Sequence, residues 1–174
     1  MAVRRATSAD AAAIAGVHVR GWQSGYRGLV PDAILDAMSV AERTARWREI
    51  LSRDDGASYT LVAERAGALV GFCSIIAPSR DDGAGARTAE IAAIYVEPAL
   101  WRTGAGGELL RVALDNLRRD GWLDVRLWVF AANDRARSFY ARFGFQADGR
   151  EIVDTRSGQI EVRLRAVLAE DDCQ

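Results

Sequence analysis

Residues 96–110, Val-Glu-Pro-Ala-Leu-Trp-Arg-Thr-Gly-Ala-Gly-Gly-Glu-Leu-Leu, are the stretch that decides the fold of this chain. An apolar run over residues 91–96, which predicts a strand, leads into it and ends at Pro98. Beyond the glycines, apolar residues recur at helical spacing from Leu110 to Leu117. The stretch therefore predicts a strand, a glycine-rich turn and a helix in direct succession.

The glycine-rich turn contains Gly104, Gly106 and Gly107, immediately before the predicted helix. Glycines let the backbone approach a phosphate closely, and the N–H groups of a first helical turn have no acceptor within the helix. The turn therefore predicts a binding site for the phosphate of a ligand. A turn that only makes a corner between strand and helix has the same composition, so the glycines alone do not decide between the two interpretations.

Two familiar phosphate-binding motifs do not fit this turn. The nucleotide P-loop requires a lysine after its last glycine, but this chain contains no lysine, and all 23 of its basic residues are arginine. The dinucleotide fingerprint requires a third small residue three positions after its second glycine, where this chain has Leu109. The strand of that fingerprint also normally opens the domain, whereas this strand lies past the midpoint of the chain.

The turn resembles the pyrophosphate loop of the GNAT superfamily of N-acetyltransferases, which reads Arg/Gln-x-x-Gly-x-Gly/Ala and follows a strand-ending proline by three residues. Counting from Pro98 places that loop at residues 101–106, Trp-Arg-Thr-Gly-Ala-Gly. Trp101 stands where the family has arginine or glutamine, and Arg102 follows it. In this family the loop holds the coenzyme mainly through main-chain N–H groups, so the resemblance still implies a site for acetyl-CoA.

Two further segments are similar to the same family. Residues 127–145 resemble its strand, its Asn-x-x-Ala-x-x-Phe-Tyr helix from Asn133 to Tyr140, and its Gly-Phe exit. Residues 3–10, Val-Arg-Arg-Ala-Thr-Ser-Ala-Asp, resemble its first strand and helix start. The segments occur in the order of the family and extend over nearly the whole chain.

The resemblance implies an α/β fold with a mixed, mostly antiparallel central sheet of six or seven strands and helices on both faces. Residues 88–96 are almost continuously apolar, as expected of a central strand that is covered on both faces. Helices are expected after the Thr7-x-x-Asp10 capping box, over residues 32–51 with a break near Ser39, after Gly107 and after Asn133. The predicted strands are residues 2–6, 59–64, 68–76, 88–96, 124–130, 145–153 and 160–168.

The composition predicts an ordinary globular chain, a single domain over residues 1–174. The net charge is −1 and the arginines are scattered among acidic residues, so there is no basic stripe for nucleic acid. No segment approaches the ~20 apolar residues of a membrane span, and the N-terminus is no signal peptide, so we expect no membrane association and a cytoplasmic location. One histidine and two distant cysteines, Cys73 and Cys173, indicate neither a metal site nor a disulfide framework.

Tyr140 is the candidate general acid. Acetyl transfer from a thioester to an amine requires a proton donor for the departing thiolate, and a phenol with a pKa of ~10 suits that task. The resemblance places this tyrosine beside the sulfur of the coenzyme. Tyr140 also falls on an apolar stripe from Ala136 to Phe143, and that spacing alone favours a packing role. The family motif around it favours the catalytic role.

Glu90 is the candidate general base that deprotonates the amine. It begins an otherwise apolar strand, where an ionised carboxylate is costly unless it is paired or functional. It precedes Trp101 by eleven residues, the spacing of the catalytic glutamate in histone-acetylating relatives. The alternatives are a carboxylate at the solvated entrance of the strand and, as in many family members, deprotonation through a chain of waters.

The resemblance also implies which residues hold acetyl-CoA. Main-chain groups near Ile94 and Val96 pair with the pantetheine amides like an added strand, and an N–H there can serve as the oxyanion donor. Asn133 is a good N-cap for the helix that follows it, and the same position in the family contacts the coenzyme. The implied coenzyme-binding residues are Ile94, Val96, Trp101, Arg102, Thr103, Gly104, Ala105, Gly106, Gly107, Asn133 and Tyr140.

The acceptor pocket is expected around the end of the first helix, where the family builds it. Polar-tipped aromatic side chains concentrate there, which suits a small ligand. A lone histidine on an apolar helix stripe is more often a satisfied core group than a catalyst, so both interpretations of His18 stay open. The predicted pocket residues are His18, Trp22, Gln23, Tyr26, Tyr95 and Trp128, with Phe130 beside them.

The leading interpretation is an acetyl-CoA-dependent N-acetyltransferase that acts on a primary amine of a small molecule or a peptide. A sensor or regulatory domain that holds acyl-CoA without turnover is the rival, and the combination of Tyr140 with the aromatic pocket favours the enzyme. A nucleotide-binding interaction domain leaves residues 127–145 unexplained. The identity of the amine is not readable, because specificity resides in loops rather than in the fold, and a homodimer is left open.

Overall fold

A seven-stranded sheet with the order β1-β2-β3-β4-β5-β7-β6 organises the computed structural model, which describes residues 1–53 and 55–168. Neighbouring strands are antiparallel except for the parallel pair β4 and β5. The predicted mixed, mostly antiparallel sheet is therefore confirmed. The strands are β1 Ala2–Arg5, β2 Tyr59–Arg65, β3 Ala68–Ile76, β4 Thr88–Val96, β5 Asp124–Phe130, β6 Gln146–Val153 and β7 Ile160–Val167.

Five α-helices and two short 3-10 turns are present in the described part of the chain. The turns are Ser8–Asp10 and Pro98–Leu100. None of the helices described is long and apolar enough to span a membrane. The helices are α1 Ala11–Gly25, α2 Asp32–Asp36, α3 Val40–Leu51, α4 Ala105–Arg119 and α5 Asp134–Ala141.

Side-chain caps fix where the first helices begin. The Asp10 carboxylate accepts the main-chain N–H of Thr7 at 2.7 Å, so the predicted capping box opens the turn that runs into α1. Ser39 Oγ accepts the N–H of Glu42 at 3.3 Å and starts α3. The predicted break near Ser39 is thereby confirmed, and it separates α2 from α3.

The sheet divides the interior into two layers, as alternation along β2 and β3 shows. Leu61 and Cys73 face the layer that α4 and α5 cover, whereas Val62 and Phe72 face α1 and α3. Leu109 is fully buried in the first layer, in the helix whose apolar spacing the sequence shows. Helices on both faces are confirmed. Cys73 is buried and forms no disulfide with another described residue, and Cys173 lies outside the described residues.

β4 separates from β5 after a short contact. Thr88–Glu90 pairs with Asp124–Arg126, and beyond that point β7 is the one strand of the described chain that pairs with β5. The register with β3 also shifts, so that Ala92 is an extra residue in β4 and its side chain is exposed. β4 is central as predicted, but the expectation of burial on both faces is wrong at Ala92, because the bulge turns that residue outward.

Candidate active site

One main-chain edge of β4 faces the gap between β4 and β5. The N–H of Glu97 donates to Val70 O at 2.8 Å, and bonded pairs alternate along an antiparallel ladder, so the next bonded residue of β4 is Tyr95. The main-chain groups of Ile94 and Val96 therefore point away from β3 and into the gap. An extended ligand can pair with this edge as an added strand.

Trp101 ties the glycine loop to the end of β4. Its indole Nε1–H donates to Val96 O at 3.0 Å. The Arg135 guanidinium of α5 lies 3.8 Å from the Trp101 ring centroid, a close cation–π contact. Trp101 therefore joins the strand end, the loop and α5, and it occupies one lone pair of the Val96 carbonyl. The coenzyme contact predicted for Trp101 itself stays a prediction.

The start of α4 has the geometry of an anion site. Gly104 precedes the helix with a φ of +93°, and no heavy atom of the described residues lies within 4 Å of the position its Cβ would take. Glycine is therefore needed there for conformation and not for space. The first N–H bonded within the helix is that of Glu108, to Gly104 O at 3.0 Å. The N–H groups of residues 105–107 have no acceptor in the described chain and are available to a phosphate.

The other two glycines of the motif, Gly106 and Gly107, lie in the first turn of α4, so the helix begins earlier than the sequence predicts. A Cβ on Gly107 would lie 3.4 Å from Phe143 Cζ, and one on Gly106 would lie 3.7 Å from Phe139 Cζ. Phe139 lies in α5, and Phe143 lies just after the end of that helix. Both separations are ordinary van der Waals distances, so space does not require glycine at either position, and of the three glycines only Gly104 is required by its backbone conformation. Arg102, in the same loop, has a φ of +65°, which is uncommon for a residue with a side chain.

Tyr140 is half-buried on α5. The helix begins at Asn133, whose Oδ1 accepts the N–H of Ala136 at 3.1 Å, so the predicted N-cap is confirmed. The Tyr140 ring lies 5.2 Å from that of Phe139 and 5.7 Å from that of Phe145. Its hydroxyl has no hydrogen-bond partner among the described residues. Burial raises the pKa of Tyr140, so the phenol is protonated at neutral pH and retains a proton to donate.

An aromatic cluster forms where α1 ends beside β4. The ring of His18 stacks on Tyr95 at 4.8 Å, and the ring of Trp22 meets that of Tyr26 edge-on at 4.9 Å. The hydroxyls of Tyr26 and Tyr95 are hydrogen-bonded at 3.0 Å. Phe130 of β5 contacts Tyr26 at 5.0 Å. The structure therefore brings these five predicted pocket residues together at the end of β4.

His18 lies in the core beneath this cluster. It is 8% exposed, and its Nδ1 accepts the indole N–H of Trp47 at 3.1 Å. Burial, followed by the positive charges of Arg43 and Arg156, lowers the pKa of His18 to about 3. The imidazole is therefore neutral at ordinary pH, and its surroundings favour the core interpretation over contact with a substrate.

Gln23 and Trp128 are held by contacts outside the aromatic cluster. Gln23 Nε2 donates to Leu35 O at 3.1 Å and ties α1 to α2. Trp128 Nε1 donates to Asp81 Oδ1 at 3.0 Å and ties β5 to the loop between β3 and β4. Neither makes a ring contact with the cluster within the described ranges. Their acceptor roles stay predictions.

Glu90 is held by the loop that precedes β4. Its side chain is 12% exposed, and Arg80 Nη2 donates to Oε1 at 2.9 Å. The main-chain N–H of Arg80 donates to Oε2 at 3.2 Å. Glu90 also lies opposite Arg126 in the paired part of β4, before the gap opens. The carboxylate thus closes a loop, which favours the structural interpretation, and its role as base stays a prediction.

Glu161 is a carboxylate that the sequence does not single out. It lies opposite Phe130 in the register of β5 and β7, so both side chains share the face that carries Tyr26. Glu161 is half-buried, has no side-chain hydrogen bond or ion pair within the described chain, and has a pKa raised by burial. Its only signal in the sequence is the alternation with Arg163 and Arg165, which identifies a polar face but not its neighbours.

No group of three or more His, Cys, Asp or Glu side chains arranged to hold a metal ion occurs in the part of the chain that is described. The site consists instead of main-chain donors at the start of α4, an open strand edge, and phenol hydroxyls. Such groups bind amides and phosphates and donate protons without a metal. The geometry is therefore suited to a long ligand that carries both amide and phosphate groups.

Comparisons with known proteins agree on one family. Residues 23–145 match the model of the acetyltransferase (GNAT) family. The uncharacterized N-acetyltransferase YuaI of Bacillus subtilis is 30% identical over 131 residues, which are 75% of this chain and 72% of that protein. The mycothiol acetyltransferase of Brachybacterium faecium is 37% identical over 92 residues, which are 53% of this chain. The match spans only 27% of that relative's length.

The fold has counterparts among solved structures. The crystal structure of the PaiA N-acetyltransferase from Thermoplasma acidophilum, in complex with coenzyme A, matches with a TM-score of 0.79. The match covers 95% of this chain and 98% of that chain at 20% sequence identity. At this identity the likeness shows that the two chains share a fold.

Proposed function

The chain belongs to the acetyltransferase (GNAT) family, and from that premise we propose that it transfers an acetyl group from acetyl-CoA directly to a primary amine. One observation carries the proposal. The open edge of β4 at Ile94 and Val96 leads to the unsatisfied N–H groups at the start of α4. A strand-like amide chain that ends in a pyrophosphate matches both, and coenzyme A is such a ligand. PaiA binds coenzyme A in the same fold.

The coenzyme lies along the gap between β4 and β5 in this proposal. The pyrophosphate accepts hydrogen bonds from the N–H groups of residues 102–107 that are free of other acceptors, and the helix dipole of α4 favours its negative charge. The pantetheine amides pair with Ile94 and with the N–H of Val96. Trp101 holds the carbonyl of Val96, so that carbonyl contributes less to the ligand than the sequence predicts.

The reaction needs one bond made and one bond broken. The neutral amine nitrogen attacks the thioester carbon, and a main-chain N–H of the β4 edge stabilises the oxyanion that forms. The carbon–sulfur bond then breaks, Tyr140 donates its hydroxyl proton to the departing thiolate, and water returns a proton to the phenolate before the next turnover. The proton lost by the amine leaves through water or a carboxylate. The products are the N-acetylated amine and coenzyme A.

The proton of the amine has three possible acceptors, namely Glu90, Glu161 and a chain of waters. Glu90 is paired with Arg80, whereas Glu161 has no partner in the described chain and shares a face with Tyr26 and Phe130. An unpaired, half-buried carboxylate suits a general base better than one that closes a loop. The proposal therefore assigns the base to Glu161 or to water rather than to Glu90.

A sensor that holds acyl-CoA without turnover is the second candidate function. Such a sensor would need the coenzyme groove, but it would need neither a proton donor nor a pocket that binds an amine. The hydroxyl of Tyr140, which has no partner in the part of the chain that is described, and the cluster of Trp22, Tyr26 and Tyr95 favour the enzyme. A cytoplasmic location, where acetyl-CoA is made and used, belongs to the same proposal, as does an amine partner that is a small molecule or a peptide.

Incubation with acetyl-CoA and a library of primary amines tests the proposed function. The library holds aminoglycosides, polyamines, amino acids and peptides with a free N-terminus, and release of free thiol is the readout. At least one amine is expected to release coenzyme A above background hydrolysis, at a rate that rises with pH because most alkylamines are protonated at pH 7. Tight binding of acetyl-CoA without release at any pH from neutral to mildly alkaline would establish the sensor.

The dependence of kcat/KM on pH separates the three proton routes. Burial raises the pKa of Glu161, so a limb that reports this base lies at higher pH than an ordinary glutamate gives, with activity lost as the pH falls. Glu161→Gln is expected to flatten or shift that limb, and Glu90→Gln is expected to leave it in place. A limb that moves in Glu90→Gln would restore Glu90 as the base. A limb that moves in neither variant would assign the step to water.

A further inference from the structure

A groove of about 440 Å³ lies between α3 and the sheet, on the face opposite α4 and α5. Trp47, Ile50 and Leu51 of α3 form one wall, and Ala92 and Ala93 of β4 lie on the other side. Its volume is within the range of pockets that hold small ligands. This groove has no role in the function proposed above.

The groove begins beside the proposed path of the coenzyme. Ala93, which lines it, directly precedes Ile94, whose main-chain groups point into the gap between β4 and β5. The N–H groups at the start of α4 fix the pyrophosphate end of the ligand, so its amide chain runs from Val96 toward Ile94 and the thioester follows. An acyl group on the sulfur then arrives at Ala92 and Ala93.

The gap between β4 and β5 closes just past that point. Glu90 and Arg126 are directly paired where the two strands meet again. Side chains of the loop before β4 close the same end. Arg80 of this loop donates to Glu90 at 2.9 Å, and the next residue, Asp81, accepts the indole N–H of Trp128 of β5 at 3.0 Å. A chain longer than acetyl therefore cannot continue straight along the gap, and the groove is the space beside it.

The interior of the groove favours an apolar occupant. The hydroxyls of Thr60 and Ser74, buried in its floor, are hydrogen-bonded to each other at 3.3 Å. His18, which is also buried, accepts the indole N–H of Trp47 at 3.1 Å. The charged residues of the described chain that line the groove are all exposed and form its rim. An apolar chain can therefore be buried there without leaving these polar groups unpaired.

We propose that this groove holds the acyl chain of the coenzyme thioester, and that the protein uses short unbranched acyl groups such as butyryl in addition to acetyl. This inference rests on the proposed function, because coenzyme A must lie along β4 for its acyl group to reach the groove. The small side chains of Ala92 and Ala93 leave the entrance open, and Ile50 and Leu51 provide apolar surface for the chain.

Calorimetry with coenzyme A, acetyl-CoA, propionyl-CoA and butyryl-CoA tests the groove without an acceptor amine. Burial of one methylene group strengthens binding about fourfold, so butyryl-CoA is expected to bind about tenfold more tightly than acetyl-CoA. Equal or weaker binding of butyryl-CoA would overturn the groove as an acyl site and leave the proposed function intact. Failure of coenzyme A itself to bind would instead overturn the proposed function, and the acyl site with it.

Two substitutions that fill the groove from opposite sides locate the chain. Ala93→Leu and Ile50→Phe are each expected to abolish the tighter binding of butyryl-CoA relative to acetyl-CoA within the same variant. Because Ile50 belongs to α3, its effect does not depend on the main-chain edge of β4. Ala45→Leu, at an exposed position of α3, is the control and is expected to keep the preference. A preference that survives both filling variants would place the acyl chain elsewhere and overturn the proposal.

Discussion

Tyr140→Phe is expected to lower kcat by a factor on the order of 10²–10⁴, the usual contribution of a general acid, while the affinity for coenzyme A changes little. The substitution keeps the ring and its contacts with Phe139 and Phe145, and it removes only the hydroxyl. Because that hydroxyl has no partner in the described chain, its loss leaves no unsatisfied protein group behind. Without the proton, the thiolate must leave as an anion, which raises the barrier. Steady-state kinetics and calorimetry with coenzyme A measure the two effects.

The control for this variant is Tyr59→Phe. Tyr59 is a buried tyrosine of β2 whose hydroxyl, like that of Tyr140, is removed by substitution with phenylalanine while the ring is kept. It lies in the core and away from the β4 edge, so the same atom is lost without contact with the reacting groups. We expect kcat to stay near that of the wild type in Tyr59→Phe. Unchanged kcat in Tyr140→Phe, under conditions where chemistry limits turnover, would leave Tyr140 as a core residue only.

Gly104→Val is expected to weaken binding of coenzyme A by about 10–100-fold. The φ of Gly104 is +93°, which costs a residue with a side chain about 1–3 kcal/mol, and a β-branched one tolerates it least. The loop can relieve that strain only by moving, and the N–H groups of residues 105–107 then no longer point at one phosphate. The valine side chain also stands where the pyrophosphate must approach. Isothermal titration with coenzyme A measures the loss directly.

Gly149→Val separates the strain from the binding site. Gly149 has a φ of +86° in the irregular part of β6, and within the described ranges no heavy atom lies within 4 Å of the position its Cβ would take. The two substitutions therefore introduce the same kind of backbone strain in equally open space. Both are expected to lose some stability on thermal unfolding, but Gly149→Val should retain its affinity for coenzyme A. A folded Gly104→Val protein that binds coenzyme A as well as the wild type would show that the pyrophosphate lies elsewhere.

The parts of the site that the sequence predicts are those that depend on interactions between residues close together in the sequence. Asn133 caps α5 through an N–H only three residues away, and the positive φ of Gly104 belongs to the turn itself. The ends of β5 follow from its own apolar run, which the structure reproduces as Asp124–Phe130. Such features depend on neighbours within a few positions, so a single sequence is enough to find them.

The parts of the site that the sequence does not predict depend on contacts with residues that are distant in the sequence. In the sequence, Glu90 is a carboxylate in an apolar strand with no evident partner. The loop before β4 folds back and places Arg80 beside it, and the sequence does not reveal this contact. Trp101 looked like a departure from the family motif, yet its indole bonds the strand end and carries Arg135 from a later helix. The register between β7 and β5 places Glu161 opposite Phe130. The residues next to Glu161 in the sequence do not reveal that register, so its neighbours could not be predicted.

The short contact between β4 and β5 divides the sheet into two half-sheets that meet along a narrow seam. The two half-sheets are joined by the pairing of Thr88–Glu90 with Asp124–Arg126, while the other neighbouring strands of the described chain are paired along most of their length. On the proposed function, a coenzyme along Ile94 and Val96 continues the seam as a missing strand would. Substrate binding then also completes the architecture, and each bound molecule adds to the stability of the folded state by mass action. The proposed active site is thus the position at which main-chain pairing between the two half-sheets is missing until the coenzyme binds.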